Sequence, residues 1–172
     1  GHFSDCIRHI RGAVDDIKIE ILVPDFRGRM EKALNALSSD LPNVFNHNME
    51  TVKSLYRQIR PGADYEWSLK LIKSFKSIAP EVPTKSGIML GFTETKDEIK
   101  QTLYDLVSAD CDMVTIGQYL QPSPHHLPVS KFVHPEEFRE YEEFAFDLGF
   151  KSVASGPLVR SSYHADEQSK SV

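Results

Sequence analysis

Cysteine is scarce in this chain: two occur in 172 residues, Cys6 and Cys111, far apart and outside any C-x-x-C pair. Both read as buried free thiols in a reducing compartment. Long hydrophobic runs are missing too. None approaches the roughly 20 residues that cross a bilayer, and no secretory leader is visible, because residues 1–12, GHFSDCIRHIRG, carry charges throughout. Positive charge is not in surplus either. The formal net charge is −5, which argues against a nucleic-acid partner, since no excess cations stand ready to neutralise phosphates. No repeat or low-complexity segment occurs, and no methionine or cap precedes the apolar stripe Phe3, Cys6, Ile7, Ile10 and Val14, which reads as a helix already under way. The chain is therefore expected to be the later part of a longer protein. What remains is an ordinary globular composition, 40% hydrophobic and 26% charged, sufficient for one domain with a sizeable core.

The apolar period switches back and forth along the chain. Ile17, Ile19, Ile21 and Val23 alternate with Lys18, Glu20 and Leu22, which is a strand pattern ended by Pro24. Met30, Ala33, Leu34 and Leu37 return at helical spacing. Further strands are expected at 44–48, 84–90 and 113–116, and helices at 52–59, 64–78, from Thr95, and from Pro135 to a Gly149 C-cap. Thr95 and Glu98 have the spacing of a capping box. Residues 151–160 read as extended, and 166–172 as a polar tail after a domain covering 1–165.

This alternation predicts an α/β fold with a parallel sheet. Asp25, the trio Asn46, His47 and Asn48, and Gln118 all fall at or just past strand C-termini, the end that carries the chemistry of (βα) barrels. The expected fold is therefore a partial TIM-like (βα) parallel barrel made of C-terminal units only, followed by an extended C-terminal tail. Four strands are too few to close a barrel.

Three groups of residues then resemble one family. Gly87-Ile88-Met89-Leu90-Gly91-Phe92-Thr93-Glu94 is similar to the G-x-I-x-G-x-x-E pattern of radical S-adenosylmethionine (SAM) proteins, with Met89 in place of isoleucine. Arg160-Ser161-Ser162-Tyr163-His164-Ala165 resembles the R-S-S-Y-x-A signature of lipoyl synthases. The stretches 44–52, 60–65, 24–28 and 117–123 resemble the same family, so the likeness runs from Gly1 to about Ala165.

The resemblance implies the radical SAM-dependent insertion of two sulfur atoms into an octanoyl chain carried on a lysine of a lipoyl carrier domain or of the glycine cleavage H protein. It also implies two 4Fe-4S clusters, an electron donor such as ferredoxin or flavodoxin, and cysteine motifs upstream of Gly1. Glu20, Asn46, Asn48, Gly87, Gly91, Gln118 and Leu120 are the implied SAM contacts, and Ser162, with Ser161 as the alternative, the implied ligand of the auxiliary cluster. Glu20 has a second reading as a salt bridge to Lys18 or Arg27, and His47 as a packed histidine. The pair His125-His126 lacks a third ligand. Expected localisation is the bacterial cytoplasm, or the mitochondrial matrix in a eukaryote. Two rival readings stand beside this one: a radical-free aldolase or synthase using Asp25, His47 or Glu50 in acid–base work, and a fragment that binds an acyl carrier without catalysis.

Overall fold

The structure, a computed structural model, describes residues 1–162; Tyr163 to Ala165 of the R-S-S-Y stretch and the polar tail at 166–172 lie outside the described residues. Helix α1 (His2–Ala13) comes first. Then follow β1 (Glu20–Leu22), α2 (Met30–Leu37), β2 (Val44–Asn46), a 3-10 turn (Lys53–Leu55), α3 (Tyr56–Ile59) and α4 (Tyr65–Ile78). The second half holds β3 (Thr84–Leu90), α5 (Lys96–Ser108), β4 (Met113–Gln118), α6 (Pro135–Leu148) and β5 (Ser152–Gly156). The five strands are all parallel and pair in the order β1-β2-β3-β4-β5. That order never reverses, so right-handed crossovers place every intervening helix on one face of the sheet. β1 and β5 do not pair, and the sheet is open: consecutive units of a (βα) barrel, as the alternation predicts.

Strand parity divides the sheet into two unlike faces. Ile19, Ile21 and Phe45 join α1, α2 and α4 residues in one buried cluster, in which Phe45 stacks on Phe75 at 3.9 Å. Ile88, Leu90, Val114 and Ile116 join α5 and α6 residues in the other. The intervening positions, Glu20, Asn46, Lys85, Gly87, Thr115 and Gly117, face the opposite way, toward what would be the barrel lumen. The helices that cover the outer face begin as their sequences require. Asp64 accepts the Trp67 amide at 2.7 Å, Thr95 and Glu98 complete the reciprocal capping box, and Gly149 ends α6 in the left-handed region at φ 104°.

Four differences from the sequence reading have local causes. The extended stretch after Lys151 is a fifth strand, whose small residues Ser152, Ala154 and Gly156 carry little strand propensity but pair with β4 along its length. The helix expected at 52–59 is a 3-10 turn followed by a single α-turn, stopped by Pro61-Gly62. β1 pairs on one edge only, so its ladder shortens to three residues. Cys6 is exposed rather than buried: α1 turns Ser4 and Ile7 inward, with Ser4 Oγ donating to Ala36 O at 2.5 Å, and leaves the rest of its stripe half-covered. Cys111 is buried as expected, and burial pushes its thiol pKa up to about 12.

Candidate active site

Polar and glycine residues gather on the lumenal face of the sheet, toward the C-terminal ends of its strands. Lys85, wholly buried, reaches Glu20 Oε2 at 3.1 Å from its Nζ, and Asn46 Nδ2 donates to Glu20 Oε1 at 2.8 Å. Glu20 thus pairs with neither Lys18 nor Arg27. Lys85 sits in the middle of a strand, where the sequence suggests a solvated side chain; only the parity of β3 and the absence of helices on this face reveal it as a lumenal cation. A buried ammonium without a partner is strongly destabilising, so Glu20 is required for the fold as well as available to a ligand.

One strand over, Asn48 Nδ2 donates to Glu50 Oε1 at 3.2 Å. Glu50 occupies the left-handed region at φ 67° and is pinned there by two backbone bonds, Glu50 N to Gly87 O and Met89 N to Glu50 O, both 2.9 Å. A non-glycine residue held in that conformation is strained, by roughly 1 kcal/mol or more, and such strain concentrates at functional sites. Burial, the main influence, raises the Glu50 carboxyl above its ordinary value, against the pull of Asn48 and Arg60. Two amide oxygens, Asn46 Oδ1 and Asn48 Oδ1, are buried with no hydrogen-bond partner among the described residues. Buried acceptors normally find donors, so the face is arranged for a molecule that brings hydroxyl or ammonium groups. Asn48, Glu50, Gly87, Thr115, Gly117, Arg160 and Ser161 line a cleft of about 220 Å³ there.

His47 points the other way. Its Nδ1 meets Val23 O at 2.9 Å and its Nε2 meets Ser68 Oγ at 3.0 Å. Because a carbonyl only accepts, Nδ1 carries the proton and Nε2 accepts from Ser68. Ser68 in turn accepts from Tyr56 OH at 2.9 Å, and Tyr56 accepts from Arg60 Nη1 at 2.6 Å, while Arg60 also holds Asn48 O at 3.2 Å. The network has one direction of donation, from the fixed cation Arg60 to Val23 O, and it ties the ends of β1 and β2 together behind Asn48. His47 is accordingly a packed, positioning histidine.

The remaining sequence candidates fall around this cleft. Gly87 lies in its floor; a β-carbon there would come within 2.9 Å of Asn48 Oδ1. At Gly91 (φ 114°), the space a β-carbon would fill is taken by Gln118 Nε2 and Lys131 O. Gln118 is buried, with Nε2 donating to Tyr119 O and Lys131 O and Oε1 accepting from Val133 N. Its side chain therefore pins the loop after β4. Glu94 accepts the Gly91 amide at 2.6 Å, which closes the turn of the glycine motif. Leu120 is half-exposed at the sheet's C-terminal edge, and Asp25 pairs with Arg27 rather than entering the cleft. On the arm after β5, Ser161 lines the cleft while Ser162 is exposed. Glu50, Lys85 and Thr115 were absent from the sequence-derived SAM set. The E-T-V run after Asn48 contains Glu50 but gives no sign of its strained backbone.

The sequence profile of the Radical SAM superfamily matches residues 3–106. The chain belongs to the radical SAM superfamily. Among its relatives, the lipoyl synthase of Hahella chejuensis is 60% identical over 168 residues, covering 98% of this chain and 51% of that protein. The lipoyl synthase of Glaesserella parasuis is 59% identical over 168 residues, covering 98% of this chain and 52% of the relative. That of Pasteurella multocida is 58% identical over 170 residues, with 99% and 53% covered. The chain thus spans about half the length of the curated relatives it matches. Membership of a radical SAM family implies SAM and an iron–sulfur cluster. Among the described residues no three His, Cys, Asp or Glu side chains converge to hold a metal ion, and no helix is long and apolar enough to cross a membrane.

Proposed function

We propose that this chain is part of a lipoyl synthase, inserting two sulfur atoms into a protein-bound octanoyl chain. The observation that carries the reading is the identity of about 60% to lipoyl synthases, sustained over 98% of the chain; it takes in the residues of a polar lumenal cleft closed by the R-S-S segment. The substrates are octanoylated lipoyl carrier domains or the glycine cleavage H protein. The electron donor is a ferredoxin or flavodoxin, and the cofactors are SAM and two 4Fe-4S clusters. The setting is the bacterial cytoplasm, or the mitochondrial matrix in a eukaryote.

The lumenal residues fit SAM. Its methionyl end is a zwitterion, and Glu20, which stays partly exposed beside Lys85 and Asn46, offers a carboxylate for its ammonium. The unpartnered Asn46 and Asn48 oxygens and the Glu50 carboxyl suit hydroxyl or ammonium donors. Gly87 leaves the floor of the cleft open, while Gly91 and Gln118 act by shaping the loop that brings Leu120 to its edge. When bound and reduced, SAM supplies a deoxyadenosyl radical able to take hydrogen from an unactivated carbon. The work of the chain is to bind, orient and exclude water. For the auxiliary cluster this chain offers one oxygen ligand, Ser162, with Ser161 the alternative. One ligand does not make a cluster site, and no step is derived through it.

The test uses the full-length protein with SAM, reductant and an octanoylated carrier domain, followed by mass spectrometry of the carrier. The octanoyl group should gain two sulfurs. Ser162→Ala should leave deoxyadenosine formation intact and lower sulfur insertion by ~100-fold, the scale of a misplaced reacting group, while Ser161→Ala has the smaller effect. Wild-type protein that forms deoxyadenosine but leaves the octanoyl group unchanged would contradict the proposal.

A further inference from the structure

We infer that Gly117 is a positioning residue: its missing side chain seats the arm at residues 157–162 against the lumenal face of the sheet. The role in the reaction rests on the lipoyl synthase reading; the seating does not. The ladder between β4 and β5 ends with Gly117 paired to Gly156. The chain then turns back, with Val159 N donating to Gly156 O at 3.1 Å, and Val159 becomes buried over β4. A β-carbon on Gly117 would stand 2.3 Å from Val159 O, 3.2 Å from its carbonyl carbon and 3.3 Å from Arg160 Nη1. Main chain, not a flexible side-chain tip, occupies that space.

Conformation does not require glycine here. Gly117 is absent from the positive-φ glycines, which are Gly28, Gly62, Gly91 and Gly149, so alanine suits its backbone and favours a strand. What demands glycine is the approach of the arm. Within the arm, Arg160 Nη1 donates to Val159 O at 2.6 Å, which holds its guanidinium over Gly117. Gly156, directly across the ladder, is the natural contrast: a β-carbon there would meet only Val159 Cγ2, at an ordinary 3.5 Å. Ser161 is carried on this arm to the wall of the cleft that holds Asn48 and Glu50. The depth of the Val159 carbonyl over Gly117 therefore sets how close the serine pair comes to those residues.

Hydrogen exchange by mass spectrometry, read on the peptide covering 157–162, tests the seating in the full-length protein. Gly117→Ala should speed exchange there about tenfold, the effect of losing one hydrogen bond, with exchange in β3 and β4 unchanged. Gly156→Ala should leave the arm as in the wild type. Arg160→Ala, a change at an exposed residue, should loosen the arm in the same direction and serves if Gly117→Ala folds poorly. Unchanged arm exchange in Gly117→Ala and Arg160→Ala overturns the seating. With the octanoylated carrier, Gly117→Ala should lower sulfur insertion by a larger factor than it lowers deoxyadenosine formation. A displaced arm with normal sulfur insertion overturns the positioning role. No sulfur insertion by the wild type overturns the functional reading and leaves the exchange result to judge the seating.

Discussion

At the scale of single residues, the side chains around the cleft divide by where their hydrogen bonds go. His47 has both ring nitrogens engaged within the fold, whereas Asn46 and Asn48 each leave an oxygen buried and unpartnered. Burial, the largest influence, and the positive Arg60 lower the His47 pKa, against the Val23 carbonyl, which raises it. A histidine whose folded pKa lies below its unfolded value costs stability as acid is added, because the unfolded chain takes up a proton that the fold refuses. Stability should therefore fall as pH drops below 6.5 and level off beneath the folded pKa. Protonation would also reverse the one-way donation from Arg60 through Tyr56 and Ser68. Urea unfolding across this window should show a shallower acid loss for His47→Gln, beside a lower midpoint at neutral pH. Equal slopes for variant and wild type would remove His47 as the source.

At the scale of elements, the strands are fastened at their N-terminal ends by a second polar group remote from the cleft. Asp112 accepts from Lys76 Nζ at 2.6 Å, Lys151 Nζ at 2.9 Å and Thr84 N at 2.9 Å, and so joins α4, β3 and the start of β5. Burial acts to raise its carboxyl, but the bonds from Lys151, Lys76 and Thr84 prevail and hold it below its ordinary value. Asp112→Asn should cost about 3 kcal/mol, because Lys76 is left half-buried without its counter-charge. Chemical denaturation measures that, and a loss under about 1 kcal/mol would show the pin to be solvated. Much at this scale was legible in the sequence, because caps and apolar periods are local: the Thr95–Glu98 box, the Pro135 start and the Gly149 stop each follow from a few neighbouring residues. β5 was legible only as an extended stretch, because Ser-Val-Ala-Ser-Gly has the composition of a loop and becomes a sheet strand through its partner β4. Lys85, Glu50 and Gly117 were hidden for a related reason. Each owes its role to a neighbour distant in sequence: Glu20, Gly87 and Val159.

At the scale of the whole molecule, the sheet presents an apolar face wrapped by helices and an opposite face lined with charge, amide and glycine. A face so polar would be a poor core, and it makes sense as the wall of a compartment for a polar ligand. We propose that this compartment binds SAM, with Asn48 among its contacts. Equilibrium dialysis of labelled SAM against the full-length protein is the most direct test. Asn48→Ala removes an oxygen that no described residue uses together with the Nδ2 donor to Glu50 Oε1, so the protein should still fold, with a stability loss of about 1 kcal/mol. SAM affinity should weaken about tenfold, as expected for one lost hydrogen bond in a buried site. An Asn48→Ala protein that binds SAM as tightly as the wild type would contradict the account.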